Sequence, residues 1–255
     1  MGAPLIERGP NGISLTAAGE LLAAQAQRTI RDLERVQEHI ADLKGLRTGR
    51  VSLQVAEGVV AGLLAPALAK MGQRYSHLSF DIDIASSNQM VEALRRGDAD
   101  IGLSFFMPRH DDIVPYASAE LNHHAVVAPG HPLATASELS LHTLAKHRLI
   151  LPHESYGVRQ ALERAAHRAN VMLVPTFKTA SLETQKALAI NGAGVLVLPP
   201  MAVARECQLG DLVSVPISSS ELEAARVDLC VYRHRQRSFA TEACLSLLAN
   251  ALQTI

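Results

Sequence analysis

The chain has 255 residues, of which 48% are hydrophobic and 19% charged, and its formal net charge is −1 at pH 7. This composition suits a folded globular protein with one sizeable core or two smaller ones, and it excludes an intrinsically disordered chain. The near-neutral charge provides no overall attraction to nucleic acid or to an anionic membrane surface, so either kind of binding would need a local patch.

The first predicted elements are a charged segment rich in glycine and proline, GAPLIERGPNGISL (2–15), and a helix that follows it directly. Thr16 is the expected N-cap of this helix, and Gly45 is the expected stop at its C-terminal end. The pattern therefore predicts a linker segment over residues 16–45 that is a single long helix from about 17 to 44, near 40 Å long at 1.5 Å per residue.

Apolar positions in this helix recur at alternating steps of four and three residues, which indicates a heptad seam. The seam consists of Leu22, Ala26, Thr29, Leu33, Val36, Ile40 and Leu43. Charged residues between these positions, including Arg31 and Arg35, suit a solvated outer face. A stripe this narrow has to be buried against another surface, and we expect a partner helix in a coiled coil. The alternative is packing against the body of the same chain.

Beyond Gly49 the pattern alternates between strands and helices, which predicts two α/β units. The first unit has strands over 50–55, 78–86 and 100–106 and helices over 63–75 and 88–97, a βαβαβ order that favours a parallel sheet. The second has strands over 123–129, 147–152, 174–180 and 193–199 and helices over 158–169 and 181–191. A last strand over 226–233 and a helix over 238–252 are expected to return to the first unit.

The predicted fold is therefore an α/β protein with two lobes behind a long helix. Lobe I comprises residues 50–119 and 227–255, and lobe II comprises residues 120–226. Ligands of such folds bind where strand ends meet helix N-termini, so we expect the site in the cleft between the lobes.

Five segments, in this order along the chain, resemble those of LysR-type transcriptional regulators. They are LIERGPNGISLTAAGE (5–20), LRTGRVSLQV (46–55), ALRRGDADIGLSF (93–105), GHPLA (130–134) and AINGAGVLVLPPM (189–201). The first is similar to the family's DNA-binding wing and its entry into the linker helix, and the heptad helix is similar to the dimerising linker itself. The resemblance covers nearly the whole chain, which looks like a regulator without most of its N-terminal winged helix-turn-helix.

The resemblance implies an effector domain like a type 2 periplasmic binding protein, with a small-molecule effector between its lobes and no cofactor. It also implies a homodimer or homotetramer, and promoter DNA as a partner of the full-length protein only. Residues 1–15 would be a remnant of the wing, in which Arg8 is a candidate contact to the DNA backbone. We expect the residues before Thr16 to be poorly ordered, because the body of that domain would be absent.

In lobe I the candidate effector contacts lie at the three turns that follow the strands, and the resemblance supports those at the first two turns. Gly58 and Val59 follow the first strand, where the family often has Ser or Thr at the position of Gly58, so only backbone N–H groups are expected to be available. The candidates at the other two turns are Ser86, Ser87, Asn88 and Phe105. Ser87 matches a frequent effector-contacting Thr, although Ser86 or Ser87 is equally expected to cap the next helix. For Phe105 the alternative is core packing.

In lobe II the candidate effector contacts also lie at strand–helix turns. They are His153, Tyr156, Gly157, Val158, Thr179 and Ser181. His153 and Arg159 would supply positive charge for a carboxylate, the alternative being an exposed or locally paired role. Because many effectors of the family are small carboxylates or aromatic acids, we expect an anionic metabolite.

Other function classes have less support in the sequence. Cys207, Cys230 and Cys244 are an odd number without CxxC spacing, which indicates reduced thiols in a cytoplasmic protein. His123 and His124 are adjacent and point to opposite faces of a strand, and no HxxxH pair accompanies them, so we expect no metal site. No signal segment or membrane-spanning segment is expected.

Two alternatives to a regulator stay open. A solute-binding protein of the same fold would be a secreted monomer, which the heptad helix and the missing signal segment disfavour. A cytosolic enzyme would need a catalytic constellation, and the sequence has no GxSxG, Walker-type or HExxH signature. We therefore expect a protein that is not an enzyme.

Overall fold

The structure is a computed structural model that describes residues 2–9, 12–43 and 48–254, with the backbone alone at 38, 39 and 41–43. An N-terminal hairpin and a long helix consist of β1 (Ile6–Gly9), β2 (Gly12–Leu15) and α1 (Ala17–Leu43). The next elements are β3 (Gly49–Val55), α2 (Ala65–Arg74), β4 (Leu78–Ile84), α3 (Ser87–Arg96), β5 (Ile101–Phe105) and β6 (Ile113–Leu121). These are followed by β7 (His124–Val127), α4 (Leu141–Leu144), β8 (Leu149–Leu151), α5 (Gly157–Arg168), β9 (Pro175–Lys178), α6 (Leu182–Ile190), β10 (Val195–Leu198), α7 (Ala204–Leu209) and β11 (Val213–Pro216). The chain ends with β12 (Ala225–Tyr232) and α8 (Phe239–Leu252).

Lobe I is built on a five-stranded sheet in the order β4-β3-β5-β12-β6. β3 pairs in parallel with β4 and β5, and β12 is antiparallel to both β5 and β6. α2 and α8 cover one face, where Leu53 and Val55 pack with Leu245 and Leu248 in a common core. α3 covers the other face. The sheet is thus mixed, and the last strand and helix of the chain return to lobe I as the sequence predicts.

Lobe II is built on a second five-stranded sheet in the order β11-β7-β10-β8-β9. β8 is parallel to β9 and β10, and β7 is antiparallel to β10 and β11. On one face Leu149 and Leu151 pack with Leu162 of α5, and on the other Ile150 packs with Leu182 of α6. The three buried residues of β8 therefore alternate between two cores, as expected for a strand covered on both faces.

Besides the N-terminal hairpin strands β1 and β2, two strands of the lobes are absent from the sequence-based assignment. β6 contains Pro115 and is exposed along much of its length at the edge of its sheet, and β11 has four residues. The predicted lobe boundaries, 119/120 and 226/227, fall inside β6 and β12, which both belong to the sheet of lobe I. The chain crosses between lobes in the short links 122–123 and 217–224.

The N-terminal segment forms an antiparallel hairpin in which Ile6 pairs with Leu15 and Arg8 with Ile13. It is anchored to the start of α1, because the Thr16 hydroxyl donates to the Pro4 carbonyl oxygen at 2.7 Å. The residues of both strands are exposed. In the described residues 2–9 and 12–15 the backbone therefore pairs with itself and with the start of α1, whereas the expected poor order before Thr16 stays a prediction.

α1 begins as predicted, since the Thr16 hydroxyl oxygen accepts a hydrogen bond from the Gly19 N–H at 3.0 Å. The predicted stop, Gly45, lies outside the described residues. So does the side chain of Leu43. Of the heptad seam, Leu33, Val36 and Ile40 are 61%, 53% and 47% exposed, so the body of the chain leaves these positions uncovered.

A different face of α1 docks on lobe I through two arginines. Arg31 forms an ion pair with Asp98, and Arg35 donates to the Gly97 carbonyl oxygen at 2.8 Å and to Asp100 at 3.2 Å. The prediction of a solvated face is therefore wrong at Arg31 and Arg35. Local charge spacing did not reveal their partners, which lie more than 60 residues further along the chain.

Among the described residues, no helix combines the length and the apolar character needed to cross a membrane.

Candidate ligand-binding cleft

The facing edges of the two sheets carry most of the predicted site residues. In lobe I the parallel strands β3, β4 and β5 end at one edge of the sheet, where the turn after β3 and the N-terminus of α3 begin. In lobe II, β8 and β9 end at the N-termini of α5 and α6. Helix N-termini present N–H groups without intrahelical partners, so this cleft suits an anionic group.

The serines before α3 have different roles. Ser86 is the N-cap residue, and both its N–H and its hydroxyl donate to the Gln89 side-chain oxygen, at 3.0 and 2.8 Å. Ser87 is 5% exposed, and its hydroxyl bonds to the Ser104 hydroxyl at 3.0 Å and donates to the Phe105 carbonyl oxygen at 3.2 Å. A ligand would have to compete with these internal bonds for Ser87. Asn88 is exposed.

The turn after β3 is packed more tightly than the sequence suggests. A Cβ atom at Gly58 would lie 3.1 Å from the Phe105 ring and 3.7 Å from the Cβ of Ala202 in lobe II. Val59 is fully buried, and its N–H donates to the Ala56 carbonyl oxygen at 3.1 Å. The expectation that the Val59 N–H is free for a ligand is therefore wrong, because this 3₁₀ turn uses it.

Phe105 belongs to the core of lobe I and is 8% exposed. Its ring lies against the backbone of Gly58, so a serine or threonine at position 58 would press on the ring. The Phe105 ring therefore packs in the core, which was the alternative to an effector contact. Its carbonyl oxygen faces the other lobe.

The lobe II candidates lie together at the start of α5 and α6. The Ser181 hydroxyl accepts from the Thr184 N–H at 3.2 Å, and the Thr179 hydroxyl oxygen accepts from the Ser181 N–H at 3.3 Å, so both residues shape the N-terminus of α6. At α5, Tyr156 and Val158 are half-buried, whereas His153 is exposed.

Gly157 brings the two lobes into direct contact. A Cβ atom there would lie 2.8 Å from the Phe105 carbonyl oxygen and 3.0 Å from the Cβ of Phe106. Only glycine lets the N-terminus of α5 approach the end of β5 this closely. Gly157 and Phe105, both predicted site residues, are therefore neighbours.

Arg159 is a buried cation in the first turn of α5. Its side chain is 7% exposed, and its Nε donates to the Glu163 carboxylate at 2.7 Å. Its Nη1 has no hydrogen-bond partner within the described part of the chain. Arg159 thus has the locally paired role that the sequence left open, and its Nη1 amino group has no partner among the residues that the structure describes.

Glu57 makes a contact across the cleft that the sequence analysis missed. Its Oε2 accepts a hydrogen bond from the backbone N–H of Leu182, the first residue of α6, at 2.7 Å. The sequence does show a carboxylate in the turn after β3, but its partner is 125 residues further along the chain and so could not be identified from local patterns.

His123 lies in the first crossover and is 2% exposed. Its ring stacks on Phe106 with centroids 5.8 Å apart, and its Nδ1 is 3.1 Å from the Glu223 carbonyl oxygen in the other crossover. Burial lowers the pKa of His123 to about 4, against the opposing effect of the Glu223 hydrogen bond. His123 is therefore neutral at pH 7 and joins both crossovers.

The cysteines are free thiols, as the sequence predicts. Burial raises the pKa of both Cys230 and Cys244 to about 12, so they are protonated and weakly reactive at neutral pH. Within residues 2–9, 12–43 and 48–254, no group of three His, Cys, Asp or Glu side chains is arranged to hold a metal ion.

Comparison with known proteins places this architecture in a family. Residues 44–253 match the LysR substrate binding domain. The HTH-type transcriptional regulator BbuR of Bordetella bronchiseptica is 28% identical over 219 residues, which is 84% of this chain and 66% of that regulator. The chain thus spans about two thirds of the length of this curated relative.

Two solved structures share the fold. The effector binding domain of QuiR in complex with shikimate matches with a TM-score of 0.70 and 15% identity, over 81% of this chain and 98% of that one. Full-length CbnR complexed with its target DNA matches with a TM-score of 0.74 and 19% identity, over 98% and 85%.

Proposed function

Because this chain belongs to the LysR substrate-binding-domain family, we propose that it is the effector-sensing and oligomerising part of a LysR-type transcriptional regulator. The observation that carries the proposal is the family match over residues 44–253, which spans both lobes and the cleft between them. The relatives it matches are transcriptional regulators rather than enzymes.

The effector we propose is a small anionic metabolite held between the lobes. Two features favour an anion: the N-termini of α3, α5 and α6, which follow the strand ends at the cleft, and the Arg159 Nη1 in the first turn of α5, which has no hydrogen-bond partner among the described residues. QuiR, which has the same fold, was solved with shikimate, a carboxylate. Ser87, Tyr156, Thr179 and Ser181 are the proposed side-chain contacts from the two lobes.

A thermal-shift screen of organic acids tests this site. A ligand at 100 times its Kd stabilises the folded state by about 2.7 kcal/mol. We expect Ser87→Ala and Tyr156→Ala each to raise the Kd of the best-binding acid by about tenfold, since a lost hydrogen bond costs roughly 1 kcal/mol or more. Exposed Ser79 and Tyr116 provide matched controls, and Ser79→Ala and Tyr116→Ala should leave the shift unchanged. If all four variants respond like the wild type, the proposed site is misplaced.

We propose that α1 pairs with a second copy through its heptad seam, forming a homodimer that can associate into a homotetramer. Leu33, Val36 and Ile40 are exposed large apolar residues at heptad spacing, and a coiled-coil partner would bury them. Ile82 and Ile84 on edge strand β4 offer a second exposed apolar surface for pairing between effector domains.

Val36→Asp tests the seam by sedimentation. A buried unpaired carboxylate should weaken dimerisation by about 100-fold or more. Gln37→Asp adds the same charge beside the seam, on an exposed residue, and should leave the assembly intact. A wild-type chain that is monomeric at micromolar concentration, or a Val36→Asp chain that sediments as the wild type does, contradicts the proposed dimer.

For the whole protein we propose promoter binding in the cytoplasm through a DNA-binding domain, in which hairpin β1–β2 is part of the wing. Arg8 is exposed on β1, where a guanidinium suits a phosphate contact. The proposed mechanism is a population shift, in which the effector changes the lobe arrangement and thereby the spacing of the DNA-binding heads. Effector-dependent mobility shifts with a promoter fragment, using the full-length regulator, test this step.

A further inference from the structure

The contact between Glu57 and Leu182 joins lobe I to lobe II at the predicted cleft. Glu57 is the first residue of the 3₁₀ turn Glu57–Val59 that follows β3, and its carboxylate accepts a hydrogen bond from the Leu182 N–H at 2.7 Å. Leu182 is the first residue of α6, where backbone N–H groups have no intrahelical acceptor and the helix dipole favours negative charge. The chain therefore places a carboxylate of one lobe on the anion-binding end of a helix in the other.

α6 does not depend on Glu57 for ordinary capping. Ser181 already accepts from the Thr184 N–H, and Glu183 supplies a carboxylate in the first turn of the helix. Glu183, however, pairs with Lys186 at 3.0 Å within α6. The acid on the Leu182 N–H comes instead from 125 residues away in sequence.

The Leu182 N–H is a single donor, and the Glu57 carboxylate already accepts from it. A Cβ atom at Gly58 would lie 3.7 Å from the Cβ of Ala202, and one at Gly62 would lie 3.0 Å from the Met201 carbonyl oxygen, so the lobes touch beside Glu57. Two carboxylates sharing one N–H would also repel each other. An incoming anion and the Glu57 carboxylate are thus mutually exclusive.

We propose that Glu57 is an intramolecular competitor of the effector: its carboxylate occupies the α6 N-terminus in the effector-free protein, and the anionic group of the effector displaces it. This inference rests on the proposed function for the identity of the cleft as the effector site. Its consequence is that Glu57 sets the affinity, because the fraction of molecules with a free Leu182 N–H scales the apparent Kd. Effector binding then also breaks a bond between the lobes.

Two readouts that require no effector test the contact. The first is hydrogen exchange of the Leu182 amide, which we expect to be accelerated by about tenfold in Glu57→Ala, since the acceptor is lost. Glu183→Gln is the matched control, because it removes a carboxylate from the same helix turn without touching the lobe contact, and its Leu182 exchange should equal the wild type. Unchanged exchange in Glu57→Ala overturns the proposal.

The second readout is binding of inorganic sulfate, followed by the Leu182 amide resonance in ¹⁵N-leucine-labelled chain. Glu57→Gln keeps the shape of the side chain and removes its charge, and we expect it to bind sulfate about tenfold more tightly than the wild type. Glu183→Gln should gain less, because its carboxylate does not occupy the site. Equal gains in the two variants would show a general charge effect and overturn the proposal.

The two proposals fail differently. If Leu182 responds as expected but no organic acid binds to either the wild type or Glu57→Gln, the proposed effector function is wrong while the lobe contact stands. If an organic acid binds and its affinity is the same in the wild type and Glu57→Gln, the competition is wrong while the effector function stands.

Discussion

Lowering the pH from 7 to 4.5 should destabilise the folded chain by about 2–3 kcal/mol through His123 alone. The pKa of His123 is lowered to about 4 by burial, whereas an unfolded histidine has a pKa near 6.5. Between these values the unfolded state binds more protons than the folded state, so stability rises with pH and is lost as the pH falls from about 6.5 towards 4. Below about 4 both states are protonated and the loss levels off.

The measurement is the free energy of unfolding in denaturant at several pH values between 4 and 7. His123→Asn removes the titrating group, so the part of the slope due to His123 should disappear even if the variant is less stable throughout. A His123→Asn slope equal to that of the wild type would mean that His123 is accessible to protons in the folded chain.

Gly157→Ala should destabilise the chain by about 1–3 kcal/mol, although alanine favours a helix over glycine by roughly 1 kcal/mol. The clash decides the sign: the new Cβ would lie 2.8 Å from the Phe105 carbonyl oxygen, a backbone atom that cannot turn aside. The expected fall in Tm is about 2–4 °C per kcal/mol for a domain of this size. Because the clash lies between the lobes, we expect it to be relieved by a change in the backbone of the two links that cross between them.

Gly72→Ala is the control for this substitution. Gly72 lies inside α2, and a Cβ there would meet no heavy atom within 4 Å, so the helix preference acts alone and the variant should be stabilised by up to about 1 kcal/mol. A stabilised Gly157→Ala chain would show that the lobes are not held this close in solution.

The features that could be predicted from the sequence are those that depend on residues close together in the chain. The buried alternation of β3 and the glycine that ends α3 identify the strand and the helix of lobe I, and Thr16 marks the start of α1. The alternation of strands and helices predicted the order of the lobes and a site at the strand–helix turns, the resemblance added individual candidate contacts, and the family match over residues 44–253 confirms the fold and the family.

The remaining features depend on distant partners, which local patterns do not specify. β6 forms because β12 pairs along it, in spite of Pro115 and a largely exposed sequence. From the sequence alone, Arg35 is expected to be a solvated charge, but in the fold it contacts Asp100. Glu57 is likewise expected to be a surface acid, but in the fold it accepts from the N-terminus of α6. The effector contacts proposed for Ser87 and Tyr156 stay predictions, which the ligand screen will decide.

The docking of α1 gives the molecule a lever arm. Arg31 and Arg35 hold the later part of the helix on lobe I, while the segment from Ala17 projects beyond them. The segment from Ala17 to Arg31 is about 21 Å long at 1.5 Å per residue, so a rotation of about 10° about the docked arginines would move the start of the helix by roughly 4 Å. That is about the rise of one DNA base pair, 3.4 Å. In the proposed regulator, small changes in lobe I would thus become displacements of about one base-pair step at the hairpin, and screening of the arginine contacts by salt would weaken the docking of α1.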